Sequence, residues 1–309
     1  MKETRLHKIA SKTNHDIGNH FITGQMEKLT EIEEQLKDSG YVEKYHRIAR
    51  VYSKKPLEEM EGKVVVLSTH IDTHPFIHHP FCDTAPDLAS YVSGYKKRYS
   101  EGVMEEDYEK VNLSYLQKVE EESGPLYVLT GDNALTNHVA VELLLSGDLP
   151  ENVIVAFTGN EEEDGKSGCR GAKGVAQMLS AFYPKLSPSY ITLDVTDVCH
   201  IKNWDATVEC LYDHKKLAKK IRERMQDSPY RIKYSKDGCT RDETDAYADF
   251  SPAVSICIPV EGEMHSDLGL FVVKKSLENY QAFLLEVCKS LLLKKQKAFP
   301  EPVKGKEFF

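Results

Sequence analysis

The stretch Val64–Pro75, VVVLSTHIDTHP, decides how the rest of the chain is read. Four consecutive apolar residues imply a strand buried on both faces, the pattern of a parallel sheet covered by helices. The strand runs directly into His70 and Asp72, two residues with no reason to follow a buried run unless the strand end faces a cleft.

The same pattern repeats downstream. From Pro125 the order is strand LYVLT, helix NALTNHVAVELLLSG, strand NVIVAFTG, helix CRGAKGVAQMLSAFY and strand SYITLDVT. A further β-rich run ATVECLY, an amphipathic helix His214–Met225, strands near YRIKYS and AVSICIPV, and a helix SLENYQAFLLEVCKSLLL complete the series. Such alternation predicts right-handed βαβ units and a three-layer α/β/α fold around a mixed, largely parallel sheet. Upstream, Gln25–Lys37 has the apolar spacing of an outer helix, and YHRIARVYS and KVVVLST read as two strands whose pairing would put His70 at a sheet edge. Residues 73–124 are polar, acidic and rich in Tyr, and read as an insertion near the cleft within a single domain spanning 1–309.

Bulk properties narrow the partners. With 309 residues, 40% hydrophobic and 29% charged, the chain has the composition of a folded globular protein. Its net charge of −9 disfavours nucleic acid and anionic membrane surfaces, both of which need a basic face. The run QAFLLEVCKSLLL is interrupted by Glu286 and Lys289 and is too short to span a bilayer, and MKETRLHKIASKTNHD has no apolar leader core. Seven scattered cysteines without a CxxC spacing suggest reduced thiols, hence a cytoplasmic protein.

In open α/β sheets ligands gather at the carboxyl ends of strands. Those ends carry His70, Asp132 after LYVLTG, Glu161–Glu163 after VIVAFTGN, Asp194 within YITLDVT and His265 after SICIPVEGEM. Singly, each has a bland reading as a helix cap or a surface group; five coincident ends point to metal. Three carboxylates and a hydroxide would balance the four charges of two Zn²⁺ ions. Histidine and carboxylate ligands suit zinc first and leave Co²⁺ or Mn²⁺ open.

In order, HID, GDN and FTGNEEEDG resemble the motifs of the co-catalytic dinuclear metallopeptidases. LDVT, ETDA and IPVEGEMHS resemble the D-V-T, G-T-D-A and I-P-x-x-x-x-H-S patterns of the glutamyl or deblocking aminopeptidases within that group. The resemblance covers nearly the whole chain. It implies a metallo-aminopeptidase acting on short peptides through a metal-activated water. His70 would bind one metal and His265 the other, Asp132 would bridge them, and Glu162 and Asp194 would complete one site each. Asp72 would orient His70, and Glu161 would act as general base. Counting back from Gly165 gives the alternative register Glu162 and Glu163.

The sequence departs from the family in three places. Thr136 stands where the family has Gly or Ser, no Glu follows His265–Ser266 at the usual offset, and the interval between His70 and Asp132 is short. A homo-oligomer is compatible with this, while the family's large tetrahedral particles stay open. HIDTHP also resembles the acylase pattern H-x-D-T-x-P, so a deacylase of N-acyl amino acids is the alternative enzyme. A peptide-binding scaffold that kept the fold is the non-enzymatic one. His74, His78, His79 and His138 read as background, and the basic face of the helix at His214–Met225 as solvated.

Overall fold

Val65 and Leu67 pack into one hydrophobic core and Val64 and Val66 into another, on opposite faces of the same strand. Each buried side chain of this kind contributes about 1.5–3 kcal/mol. The computed structural model describes residues 19–46, 48–72, 125–128, 131–162, 168–197, 201, 203–210, 215–235, 243–263 and 269–293. The segment 73–124, Glu163 and His265 lie outside the described residues.

Eleven strands are described: β1 (Val42–His46), β2 (Ala49–Ser53), β3 (Gly62–His70), β4 (Pro125–Val128), β5 (Val153–Thr158), β6 (Leu186–Thr196), β7 (Ala206–Glu209), β8 (Ile232–Ser235), β9 (Ala253–Pro259), β10 (Glu261–Glu263) and β11 (Gly269–Val273). Eight form one sheet in the order β1-β2-β5-β3-β6-β9-β7-β8. Its centre, β5-β3-β6-β9, is parallel. The strands β1, β2, β7 and β8 flank it, with β2 antiparallel to β5 and β7 antiparallel to β9.

Among the described residues six helices cover the sheet: α1 (Asn19–Leu36), α2 (Gly131–Ser146), α3 (Arg170–Phe182), α4 (Lys215–Arg224), α5 (Glu243–Ala248) and α6 (Lys274–Leu292). Helices α1, α2, α4 and α6 bury Leu29, Leu143, Ile221 and Phe283 with Val65 and Leu67 on one face. Helices α3 and α5 bury Val175, Leu179 and Tyr247 with Val64 and Val66 on the other. The three-layer α/β/α fold read from the sequence is therefore the one observed.

Three local expectations are corrected. His70 is not at a sheet edge: β3 lies between β5 and β6, and it is β2 that pairs with β5. YHRIARVYS is not one strand but parts of two, folded into a hairpin whose last pair is His46↔Ala49. A hairpin with one exposed strand suits the sheet margin, whereas a strand apolar on both faces suits its interior. The third correction concerns β4, which joins β11 and β10 in a separate three-stranded sheet.

Away from the cleft, Asp205 anchors the far side of the sheet. It accepts from the Arg231 backbone N–H at 2.9 Å, from Arg231 Nη2 at 2.5 Å and from the Ser276 hydroxyl at 2.9 Å. That joins the approach to β7, the approach to β8 and the first turn of α6.

Candidate metal centre

The central strands deliver their chemistry at one end. His70 is the last residue of β3 and pairs with Thr158, the last of β5. Glu161 and Glu162 follow β5 directly. Asp194 lies near the end of β6, and Asp132 begins α2. Of the sequence-predicted residues, His70, Asp72, Asp132, Glu161, Glu162 and Asp194 are described.

His70 is buried, and its Nε2 lies 3.2 Å from Asp132 Oδ1 and 3.7 Å from Asp194 Oδ1. Ligand atoms of His70, Asp132 and Glu162 all fall within 4.8 Å of one another. On the other side of the ring, Nδ1 is 3.2 Å from the main-chain carbonyl of Asp72. A carbonyl only accepts, so Nδ1 carries the proton, and in the neutral ring the Nε2 lone pair faces the acids.

Asp72 does more than touch His70. Its Oδ1 is 3.5 Å from Nδ1, beyond its own backbone carbonyl, and its Oδ2 accepts the Glu162 backbone N–H at 2.9 Å. One buried carboxylate thus spans the ends of β3 and β5. The sequence suggested the contact with His70; the bond to Glu162 could not be read from spacing.

Electrostatics express the crowding of acids. Burial pushes the Glu162 carboxyl well above its usual range, the Asp132 charge adds to this, and His70 opposes it. Burial likewise raises Glu161, opposed by His70 and reinforced by Glu162 and Asp194. Asp194 is raised by burial and by Asp132 against the pull of His70. For His70 itself burial favours the neutral ring, but Asp132, Asp194 and Asp72 together hold it well above the usual value. A nitrogen lone pair and several carboxylates packed in a buried space are a donor set for a divalent cation, which would relieve this repulsion. The residues present fit such an ion.

Buried polar side chains fix the ligands from behind. Thr69 on β3 bonds Thr136 at 2.8 Å and donates to Asn137 at 3.0 Å, both on α2. Asn133 donates to the Leu193 carbonyl of β6 at 2.8 Å. Asp132 is therefore held against both β3 and β6, and Thr136, a departure in the sequence pattern, is one of the holding groups. The Asp132–Asn133 peptide is cis.

The turn carrying the glutamates is clamped by α3. The Gly171 N–H donates to the Gly159 carbonyl at 3.0 Å and the Cys169 N–H to the Asn160 carbonyl at 2.5 Å. Asn160 and Cys169 both have positive φ, 62° and 57°, so the chain turns sharply where it leaves β5 and where it enters α3. Gln25 of α1 accepts the Asn160 N–H at 3.2 Å. None of Thr69, Asn133, Asn137 and Gln25 stood out in the sequence; the only trace was hydroxyl residues ending otherwise apolar strands, as in VVVLST and VIVAFT.

Beneath the site sits an acid that strand-end logic missed. Glu243, the first residue of α5, is buried; it accepts from the Ser68 hydroxyl at 2.9 Å and from the Thr158 hydroxyl. Burial pushes its carboxyl up to about 7 against the pull of Thr158, His70 and Ser68.

No family model matches the sequence, and no curated protein matches it. Solved structures do. A TET aminopeptidase from the marine sediment archaeon Thaumarchaeota archaeon SCGC AB-539-E09 is 12% identical, over 93% of this chain and 96% of that one, with a TM-score of 0.62. The Pyrococcus horikoshii TET1 peptidase is 14% identical over 92% and 99%, with a TM-score of 0.59. A leucine aminopeptidase precursor from Bacteroides thetaiotaomicron is 13% identical over 92% and 94%, with a TM-score of 0.56. The chain shares the fold of these aminopeptidases. At such identities the likeness concerns the fold.

Proposed function

We propose that the protein is a metal-dependent aminopeptidase that releases N-terminal residues from short peptides, of the glutamyl or deblocking type its motifs resemble. The observation that carries this reading is the convergence of His70, Asp132 and Glu162 at the strand ends of a fold shared with solved aminopeptidases. Two divalent cations, zinc first and cobalt or manganese next, would polarise the scissile carbonyl and make water nucleophilic at neutral pH.

The chain's own residues divide the remaining work. His70 offers Nε2 as a ligand because Nδ1 is engaged by Asp72. Asp132 would be shared by the two ions, and Glu162 and Asp194 would each hold one. His265 is proposed as the second imidazole; it lies between Glu263 and Gly269, in the interval joining β10 to β11. Glu161 takes the proton of the attacking water on a carboxylate oxygen and passes it to the leaving amine. The proximity of Glu162 to His70 and Asp132 supports the register Glu161 base, Glu162 ligand over Glu162 and Glu163.

Among the described residues no helix is long and apolar enough to cross a membrane. A cytoplasmic location is part of the proposal. So is a homo-oligomer, since the Pyrococcus horikoshii TET1 peptidase can assemble into a tetrahedron or a large octahedral shell. The test is metal analysis of the purified protein with a substrate panel under added Zn²⁺, Co²⁺ or Mn²⁺. Release of N-terminal amino acids from unblocked peptides is expected. Exclusive turnover of N-acyl amino acids would establish the deacylase instead, and metal-free protein inactive on both would refute the reading.

A further inference from the structure

Three strands lead to His70, to the Glu161–Glu162 turn and to Asp194, and one short helix is hydrogen-bonded to all three. Glu243 accepts from Ser68, two residues before His70, and from Thr158, three residues before Glu161. Its neighbour Thr244 shares a 2.6 Å hydrogen bond with Thr192, two residues before Asp194. In an extended chain residues two apart point to the same face, so the Ser68 and Thr192 contacts lie one repeat below His70 and Asp194 on the same face, while the Thr158 contact holds the end of β5 from which the glutamate turn departs.

We propose that Glu243 is a positioning residue whose carboxylate, bonded to Ser68 and Thr158, sets the spacing between His70 on β3 and the Glu161–Glu162 turn after β5. This rests on the metallopeptidase reading and deepens it. The glycine of the G-T-D-A pattern that ETDA resembles has no side chain with which to make this bridge.

The surroundings hold the carboxyl in place. Tyr247, one turn further along α5, lies 2.8 Å from the Ser68 hydroxyl. Because the Ser68 proton goes to Glu243, the Tyr247 hydroxyl donates to Ser68. The Tyr247 ring stacks on Tyr190 of β6, with centroids 4.2 Å apart and planes 16° apart, and both rings are fully buried. The acid therefore has no room to swing away. The Thr158 hydroxyl also lies 3.2 Å from the Thr69 carbonyl. A glutamine at 243 could donate to Thr158 while Thr158 donates to Thr69, so the bridge tolerates loss of the charge but not of the polar head.

The test compares Zn²⁺ affinity of the metal-stripped full chain, by titration against a chromophoric chelator, with the melting of that same stripped protein. Glu243→Ala is expected to weaken Zn²⁺ binding about 10-fold or more, in the range seen when groups supporting metal ligands are removed. Glu243→Gln is expected to restore it close to wild type. Thr158→Val cuts one arm isosterically and is expected to weaken binding too, with the double variant no worse than Glu243→Ala alone. If Glu243→Ala lowers the melting temperature yet binds Zn²⁺ as tightly as wild type, the residue is merely structural and the inference fails. Should Glu243→Ala not fold, Thr158→Val decides: unchanged affinity overturns the proposal. A wild-type chain that takes up no Zn²⁺ refutes the metal reading and this one with it; a wild type that does, beside unaffected variants, refutes only this one.

Discussion

Gly171→Ala is expected to disable the site without touching a ligand. A Cβ at 171 would lie 2.5 Å from the Gly159 nitrogen, 2.7 Å from its carbonyl oxygen and 2.9 Å from the Thr158 Cβ. Carbon needs about 3.5 Å from such atoms, so helix α3 and the 159–160 turn must separate by roughly 0.5–1 Å. None of the three atoms belongs to a side chain that can rotate away. The overpacking costs about 1–3 kcal/mol of stability. The turn that moves also carries Glu161 and Glu162, and misplacement of reacting groups by ~1 Å costs about 100-fold in rate. Gly147→Ala is the control: its φ is +70° and its Cβ would meet nothing within 4 Å, at the far end of α2. It carries a backbone penalty of about 1–2 kcal/mol with no effect on the turn. Urea midpoints and peptide turnover, measured on both, separate the two costs. Comparable losses of stability are expected, with turnover lost only in Gly171→Ala. Wild-type turnover in Gly171→Ala, or equal loss in Gly147→Ala, would falsify the reasoning.

Three further outcomes are expected. Glu161→Gln keeps its metal and loses about 100- to 10,000-fold in kcat, the span of general-base catalysis; if it stays active while Glu162→Gln retains full metal, the later register is correct. Asp132→Asn weakens uptake of both ions, read as metal per chain by elemental analysis; undiminished stoichiometry would remove Asp132 as the bridge. Asp205 is raised by burial but held below its ordinary value of 3.8 overall by Arg231 and Ser276. A lowered folded pKa means stability that is complete above the unfolded value and drains away as pH falls through the folded one. Asp205→Asn therefore loses about 1–3 kcal/mol at neutral pH and shows a flatter urea midpoint as pH falls below about 4; an unchanged acid profile would contradict this.

Much of the site was legible because two local rules met at the same residues. A run apolar on both faces marks an interior strand, and ligands collect at the carboxyl end of such strands, so His70, Glu161–Glu163 and Asp194 could be named as candidates before any contact was known; Asp132 was named by the same rule although β4 lies in the separate sheet. What the sequence hid was non-local. Nothing in VVVLST says that β5 and β6 are its neighbours, and the hairpin inside YHRIARVYS was missed because Arg47 and Ile48, the residues between the paired His46 and Ala49, give no Gly, Pro or Asn signal. Glu243 stood in view as the first residue of ETDA, but no role was read for it, because only the packing of α5 reveals that it is buried against Ser68 and Thr158.

The interior place of β3 bears on how the protein would handle the metal proposed for it. A strand bonded along both edges exchanges its amide protons only when much of the sheet opens. His70 therefore stands on one of the least yielding parts of the molecule, and stripping the ions should leave its ring where it is. A chelated protein of this design keeps a ready-made, charge-crowded socket. Loading of the proposed ions would then be a matter of access to that socket rather than of rebuilding it, and their removal is expected to be reversible on simple re-addition.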